Sequence, residues 1–184
     1  MNILKQIRPA LRRLPLLISC VALMVLGAFI AAGLTQAKSG GTALSLDPAP
    51  DFTVPIYSGG TGSFTLSSQQ GHPLVLNFWG SWCPPCRSEF STLQAAADRY
   101  KDQGLIVFGI DVQDTERDAK EFLSEQGTSF LTGPDLSGQI LLDFKVANMP
   151  TTFFITRNGE IYKKWVGVID ETNLTTYIEE LLAL

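Results

Sequence analysis

The sequence predicts an α/β domain of three layers, α/β/α, with a central mixed sheet, carried behind one N-terminal transmembrane helix. Strand-like apolar runs alternate with amphipathic helical segments over residues 73–146, the pattern of strands linked by helices. A hairpin signal and a last amphipathic helix follow over residues 151–184, adding antiparallel strands. Ahead of both, residues 14–34 hold no charged side chain.

The chain has 184 residues, 45% of them hydrophobic, enough for one ordinary domain with a packed core plus a short extra segment. Its formal charge of −4 conceals an asymmetry. Residues 1–13 contain Lys5, Arg8, Arg12 and Arg13 and no acid. The rest therefore sets ten basic residues against all 18 acidic ones, a formal −8. Such a domain has no electrostatic footprint for nucleic acid.

The elements follow in chain order. The uncharged run "LPLLISCVALMVLGAFIAAGL" (14–34) would be ~31 Å long as a helix at ~1.5 Å per residue, close to the ~30 Å hydrocarbon core of a bilayer. The basic residues before it keep 1–13 in the cytoplasm and place the remainder on the other side, so the membrane is a partner through this helix. "TQA" (35–37) is a passable cleavage site and "LISC" (17–20) resembles a lipoprotein box. The run is longer than a cleaved signal's apolar core, and the residues after Cys20 stay apolar, so an uncleaved anchor is expected. All three alternatives put the domain outside the cytoplasm, periplasmic or on the outer face. Cys20 reads as a small apolar residue of the anchor. Residues 35–47 are a linker, within the small, Pro/Gly-rich stretch "KSGGTALSLDPAP" (38–50). The domain spans 48–184.

"DFTVPI" (51–56) and "SFTL" (63–66) are short β-prone pieces around "SGGTG", and "PLVLNFW" (73–79) is a buried central strand. Residues 84–101 form one helix opening with proline, and "GLIVFGID" (104–111) is a second buried strand. In 115–127, Thr115 is the N-cap, Asp118 the capping-box acid and Gly127 the stop. "SFLT" (129–132) is a short strand and "SGQILLDFKV" (137–146) a short helix. Strands 151–156 and 160–168 are joined by a turn at Asn158-Gly159, and 170–184 is the terminal helix.

Chemistry concentrates in "NFWGSWCPPCRSEF" (77–90), where Cys83 and Cys86 flank two prolines. A structural zinc needs four ligands, and here there is one cysteine pair and a single histidine, His72, which reads as a loop residue. A bridge closing so short a loop is a weak staple. The flanks favour a redox couple. A strand precedes the pair and a helix follows, so Cys83 sits at a helix N-terminus that stabilises a thiolate, while Cys86 is more buried. Cys83 then attacks a partner's disulfide and Cys86 resolves the mixed disulfide. Pro84 and Pro85 stiffen the loop and remove two N–H donors.

Together, "APDFTV", "PLVLNFWGSWCPPCRSEF" and "FKVANMPTTFFITRNGEIYKKWVG" resemble the thioredoxin-like superfamily, and within it the membrane-anchored TlpA/ResA-type thiol-disulfide oxidoreductases with AhpC/TSA- and redoxin-like domains. The likeness covers about residues 48–184. It implies a thioredoxin-like fold, a Cys83–Cys86 disulfide in the oxidised state, and no cofactor or metal. It implies a cis peptide at Met149-Pro150 facing the dithiol, with Met149, Pro150 and Thr151 docking an extended partner segment. Thioredoxins proper carry a buried Asp where Asn77 stands. The ResA-like pattern instead has a Glu six residues after the first cysteine, here Glu89, a candidate proton handler for Cys86. Trp82 is expected to shield the dithiol or present a contact surface; Trp79 reads as core, and Arg87 matches a basic residue common after the second cysteine.

The function the resemblance implies is protein-disulfide oxidoreduction outside the cytoplasm, mostly in the reducing direction. The implied partners are disulfide-bearing exported proteins such as apocytochrome c during cytochrome c maturation, and a membrane electron donor of the CcdA/DsbD type. Two alternatives stand beside it. A thiol peroxidase needs Thr or Ser at set spacing before its cysteine, and Gly80-Ser81-Trp82 does not supply it. A copper-binding chaperone or anchored adaptor would keep the cysteines out of catalysis.

Overall fold

The computed structural model describes residues 46–184. The segments assigned above to the cytoplasm, the membrane span and most of the linker, with Cys20, lie outside them. Among the described residues no helix is long and apolar enough to cross a membrane.

Among the described residues are eight strands and five α-helices: β1 (Asp47–Pro48), β2 (Thr53–Pro55), β3 (Ser63–Thr65), β4 (Leu74–Trp79), α1 (Pro84–Arg87), α2 (Phe90–Tyr100), β5 (Ile106–Val112), α3 (Glu116–Glu125), β6 (Leu131–Asp135), α4 (Gln139–Asp143), β7 (Thr151–Ile155), β8 (Glu160–Val166) and α5 (Glu171–Leu182). The main sheet runs β1-β8-β7-β4-β5-β6. β4, β5 and β6 are parallel, and β7, β8 and β1 join antiparallel, giving the expected mixed sheet. All six residues of β4 are buried, as a strand with both neighbours paired and both faces covered must be.

Alternation along the strands divides the core in two. Val75, Trp79, Val107 and Phe154 face α2, α3 and α5. Leu74, Leu76, Phe78, Phe108, Ile110 and Phe153 face the other way. There the third layer is the β2–β3 hairpin with α4 rather than helices alone, and Phe64 stacks on Phe108 with ring centroids 3.8 Å apart. Gly133 makes that approach possible: a Cβ there would lie 2.6 Å from the Pro55 carbonyl oxygen and 2.7 Å from Val54 Cγ2.

Four local expectations change. The helix expected over 84–101 is two helices, broken at Ser88 and Glu89. Ser88 N and Glu89 N each reach back only three residues, to Pro85 O and Cys86 O, because the Glu89 side chain turns into the core. The linker's last residue, Asp47, pairs with Ile161 as β1; a two-residue strand has too little pattern to read in sequence. Strand 129–132 is shifted to Leu131–Asp135 and includes Pro134, which β6 tolerates because it is a sheet edge. Helix 137–146 shortens to α4, ending as Lys145 takes φ 51°.

Two turns show how the sequence sets its own ends. Thr115 Oγ1 accepts from Asp118 N, the N-cap bond expected, but Asp118's carboxylate pairs with Arg117, and it is Asp114 that accepts the Thr115 N–H. The hairpin turn is three residues, 157–159, with Gly159 at φ 81° and its N–H on Thr156 O.

Replacing Gly133 by Ala should lift the hairpin off β6 and cost about 2 kcal/mol, read as a lower urea midpoint with an unchanged disulfide content.

Candidate active site

β4 ends at Trp79, and the three residues after it carry the chain to Cys83. The turn closes with Cys83 N on Gly80 O at 3.0 Å. A second segment, the end of β5 and the loop after it, clamps this turn: Ser81 N donates to Asp114 Oδ2 at 2.7 Å and Trp82 Nε1 to Val112 O at 3.0 Å. Gly80 permits the clamp, since a Cβ there would sit 2.7 Å from Trp82 Nε1. Cys83 and Cys86 are joined by a disulfide. Both are buried, Cys83 at 4% exposure and Cys86 at 0%, while Trp82 beside them is 55% exposed.

Cys83 caps a helix of only four residues, not the long one expected. Pro84 and Pro85 have no N–H, and Cys86 N is directed to Cys83 O at 3.1 Å. The macrodipole and the free N–H groups that lower a thiol pKa at a helix start are therefore both sparse here.

The Met149–Pro150 peptide is cis. Pro150 O accepts from Gly167 N at 2.8 Å, which pins the loop between α4 and β7 to the end of β8. A groove of about 480 Å³ opens between this loop and the dithiol, lined by Trp82, Cys83 and Pro84 and by Gln113, Asn148 and Met149. Thr151 lies in β7 between Phe78 and Val166, is fully buried, and lines no part of the groove; its hydroxyl donates to Asn148 O at 2.7 Å.

Glu89 is fully buried. Oε1 accepts from Asn77 Nδ2 at 2.7 Å and Oε2 from Ile169 N at 2.9 Å. Asn77 Nδ2 also donates to Thr152 Oγ1 at 3.0 Å. Asn77 therefore does not leave the site without a carboxyl: it holds one that enters from the helix break. Burial pushes the Glu89 carboxyl up to about 7, against the opposing pull of its two hydrogen bonds. A carboxyl poised there takes up and releases a proton near neutral pH.

The other residues separate. Trp79 is fully buried and packs on Phe90 and Phe122. Arg87 lies on the surface, paired with Glu125 at 2.9 Å and stacked over Phe122. His72 precedes β4, at the opposite end of that strand from Cys83, with Nδ1 3.1 Å from Gly104 O. Among the described residues no three His, Cys, Asp or Glu side chains gather as a metal site would require.

Two buried acids were not anticipated, Asp135 and, beside the site, Asp111. Asp111, in register with Trp79, is 1% exposed. Burial pushes its carboxyl up to about 7, with the Asp114 carboxylate adding to the shift. The Tyr57 hydroxyl lies close enough to oppose that shift, without a well-formed hydrogen bond to either oxygen. Its only signal in the sequence is that it closes the apolar run "IVFGID". Gln113 and Asn148, both groove-lining, carried no signal at all.

Comparison with known proteins is consistent with this geometry. Residues 46–164 match the AhpC/TSA family. The chain is 32% identical over 137 residues to the thiol-disulfide oxidoreductase ResA of Oceanobacillus iheyensis, covering 73% of this chain and 71% of that protein. With ResA of Bacillus subtilis (strain 168) it shares 30% over 130 residues, 71% and 72% of the two chains. Among solved structures, a candidate thiol:disulfide interchange protein DsbE from Chlorobium tepidum superposes with a TM-score of 0.69 at 34% identity, over 74% of this chain and 96% of that one. StoA from Bacillus subtilis shares the fold, with a TM-score of 0.61 at 21% identity, over 71% and 99%.

Glu89 makes stability depend on pH in a definite direction. Its carboxyl titrates near 4.5 unfolded and about 7 folded, so between those values the folded chain holds a proton that the unfolded chain has lost. Its contribution is fully present below pH 4.5 and falls away as pH rises through 7. Glu89→Gln, which mimics the protonated form, should match the parent at pH 4 and be more stable by about 3 kcal/mol at pH 8, measured by urea unfolding of the oxidised protein.

Proposed function

The chain belongs to the AhpC/TSA family as a thiol-disulfide oxidoreductase, and we propose that it works outside the cytoplasm, tethered by residues 14–34, reducing disulfides of exported proteins such as apocytochrome c. A membrane donor of the CcdA/DsbD type returns it to the dithiol.

What supports a reducing direction is the poverty of thiolate stabilisation at Cys83. A dithiol is a strong oxidant when its reduced form is stabilised, chiefly by donors and dipoles at the attacking sulfur. Here a single helical turn with two prolines offers few of either. The disulfide form is correspondingly favoured, and the dithiol gives its electrons away.

The exchange runs in two steps. The Cys83 thiolate attacks one sulfur of the partner's disulfide, forming a Cys83–partner bond and expelling the partner's other sulfur as thiolate. The Cys86 thiol then loses its proton, with Glu89 as acceptor, and attacks Cys83 Sγ. The Cys83–Cys86 bond forms and the second partner thiol leaves, so two electrons have passed to the partner. Glu89 sits three residues after Cys86, buried with it, and is tuned to accept at neutral pH.

Full-length protein in detergent should reduce a peptide disulfide. Cys83→Ala should bring the rate to background, and Cys86→Ser should retain the partner as a mixed disulfide. Retained turnover in Cys83→Ala would sink the assignment. The Cys83/Cys86 potential, set against glutathione, should lie nearer the ~−270 mV of thioredoxin than the ~−120 mV of a strong oxidant; a value near the latter reverses the direction.

A further inference from the structure

We propose that Gln113 is a specificity-determining residue of this reaction, its side-chain amide pairing with a backbone peptide group of the partner segment that enters the groove beside Cys83. The proposal deepens the reading of the site as thiol-disulfide exchange on polypeptides, and rests on it.

The first observation is the backbone. Directly after β5, Gln113 takes φ 50°, the left-handed region, where a side chain costs about 1–2 kcal/mol and glycine nothing comparable. Among the described non-glycine residues only Gln113 and Lys145 have positive φ. Gln113 lies in the groove wall, and Lys145 immediately precedes the Val146–Met149 part of that wall. Non-glycine residues in such conformations concentrate where a side chain is needed at that point.

The second observation is the space kept for the side chain. Gly138, at φ 74°, faces it: a Cβ on Gly138 would lie 3.1 Å from Gln113 Nε2 and 3.4 Å from its Cδ. A left-handed glutamine thus lies against a glycine without a side chain to displace it. Among the described residues, no hydrogen bond within the protein engages the Gln113 amide, and the residue is exposed.

The third is the chemistry of the groove. No charged side chain lines it; Trp82, Pro84, Val146 and Met149 are apolar, and Gln113 and Asn148 carry its side-chain amides. Cys83 is buried to 4% exposure, so a partner's cysteine arrives on an extended segment that enters the groove. That segment brings N–H and C=O groups which lose water there and need partners. A primary amide offers both donor and acceptor and matches a peptide group whatever its side chain. The occupant this selects is an extended, uncharged stretch beside the cysteine, read by its backbone.

The test uses full-length protein and two probes: a disulfide-linked peptide with uncharged residues flanking its cysteine, and 5,5′-dithiobis(2-nitrobenzoate), which has no backbone. Gln113→Gly should keep the potential and the rate with the small disulfide, with thermal stability equal or higher. Its KM for the peptide should rise about fivefold to tenfold with kcat little changed, and Gln113→Asn, which tolerates φ > 0, should recover part of the loss. N-methylation of the peptide beside its cysteine, which removes the N–H and leaves the carbonyl, should shrink the difference between parent and Gln113→Gly, which a merely structural role would not do. An unchanged peptide KM in Gln113→Gly, or parallel slowing with both probes, overturns the proposal. Failure of the parent protein to reduce either probe overturns the reading of the site itself, and with it this proposal.

Discussion

A carboxylate held in the core by two N–H donors organises this domain. Glu89 joins three stretches distant in sequence: β4 through Asn77, its own helix break, and the chain leaving β8 through Ile169 N. Turning that side chain inward is incompatible with one continuous helix, so α1 and α2 separate. The separation leaves Cys83 on a single turn, with the electrostatics of a short peptide end rather than of a long helix. Asn77's second bond, to Thr152, carries the same network onto β7, two residues from Pro150. The sulfur pair, the proline loop and the β8 exit are thus held in register by one hydrogen-bonded unit, which makes its acid-base chemistry inseparable from its geometry.

Such a unit opposes stability. A buried carboxyl raised to about 7 weakens the fold near neutral pH, and Asp111 does so again one strand away. Packing on both sides offsets this. Trp79, Phe90 and Phe122 pack on one another on the helical face. On the other face the hairpin brings Phe52 and Phe64 onto Phe108. Gly109 shows how tightly the two demands are fitted, since a Cβ there would meet Trp79 Nε1 at 2.8 Å.

Much of the architecture was legible because it rests on local pattern. The largely apolar β4, the Thr115 cap, the Asn158-Gly159 turn and the amphipathic α5 each follow from residues near one another in the chain. The dithiol and the Met149-Pro150 turn were legible through motif. What was not legible depends on contacts across the fold. Nothing local distinguishes Glu89 from a helix-surface acid; its burial comes from Asn77, twelve residues away, and Ile169, eighty away. The strand opening at Thr151 was legible, but not the pairing on both sides that buries Thr151 away from the groove. Gln113's left-handed backbone stands where its N–H reaches Asp135 O at the end of a neighbouring strand, a contact no local pattern shows.

The two margins of the main sheet bear on how such a protein handles extended chains. β1 is two residues long and ends in Pro48, while β6 contains Pro134 and is bridged at Thr132 by Ser58. The β6 margin is thereby interrupted, but β1 covers only Glu160 and Ile161, so among the described residues Tyr162–Val166 of β8 keep an open outer row of backbone donors and acceptors. Addition of a further extended strand is thus discouraged along β6 and open only along the outer side of β8.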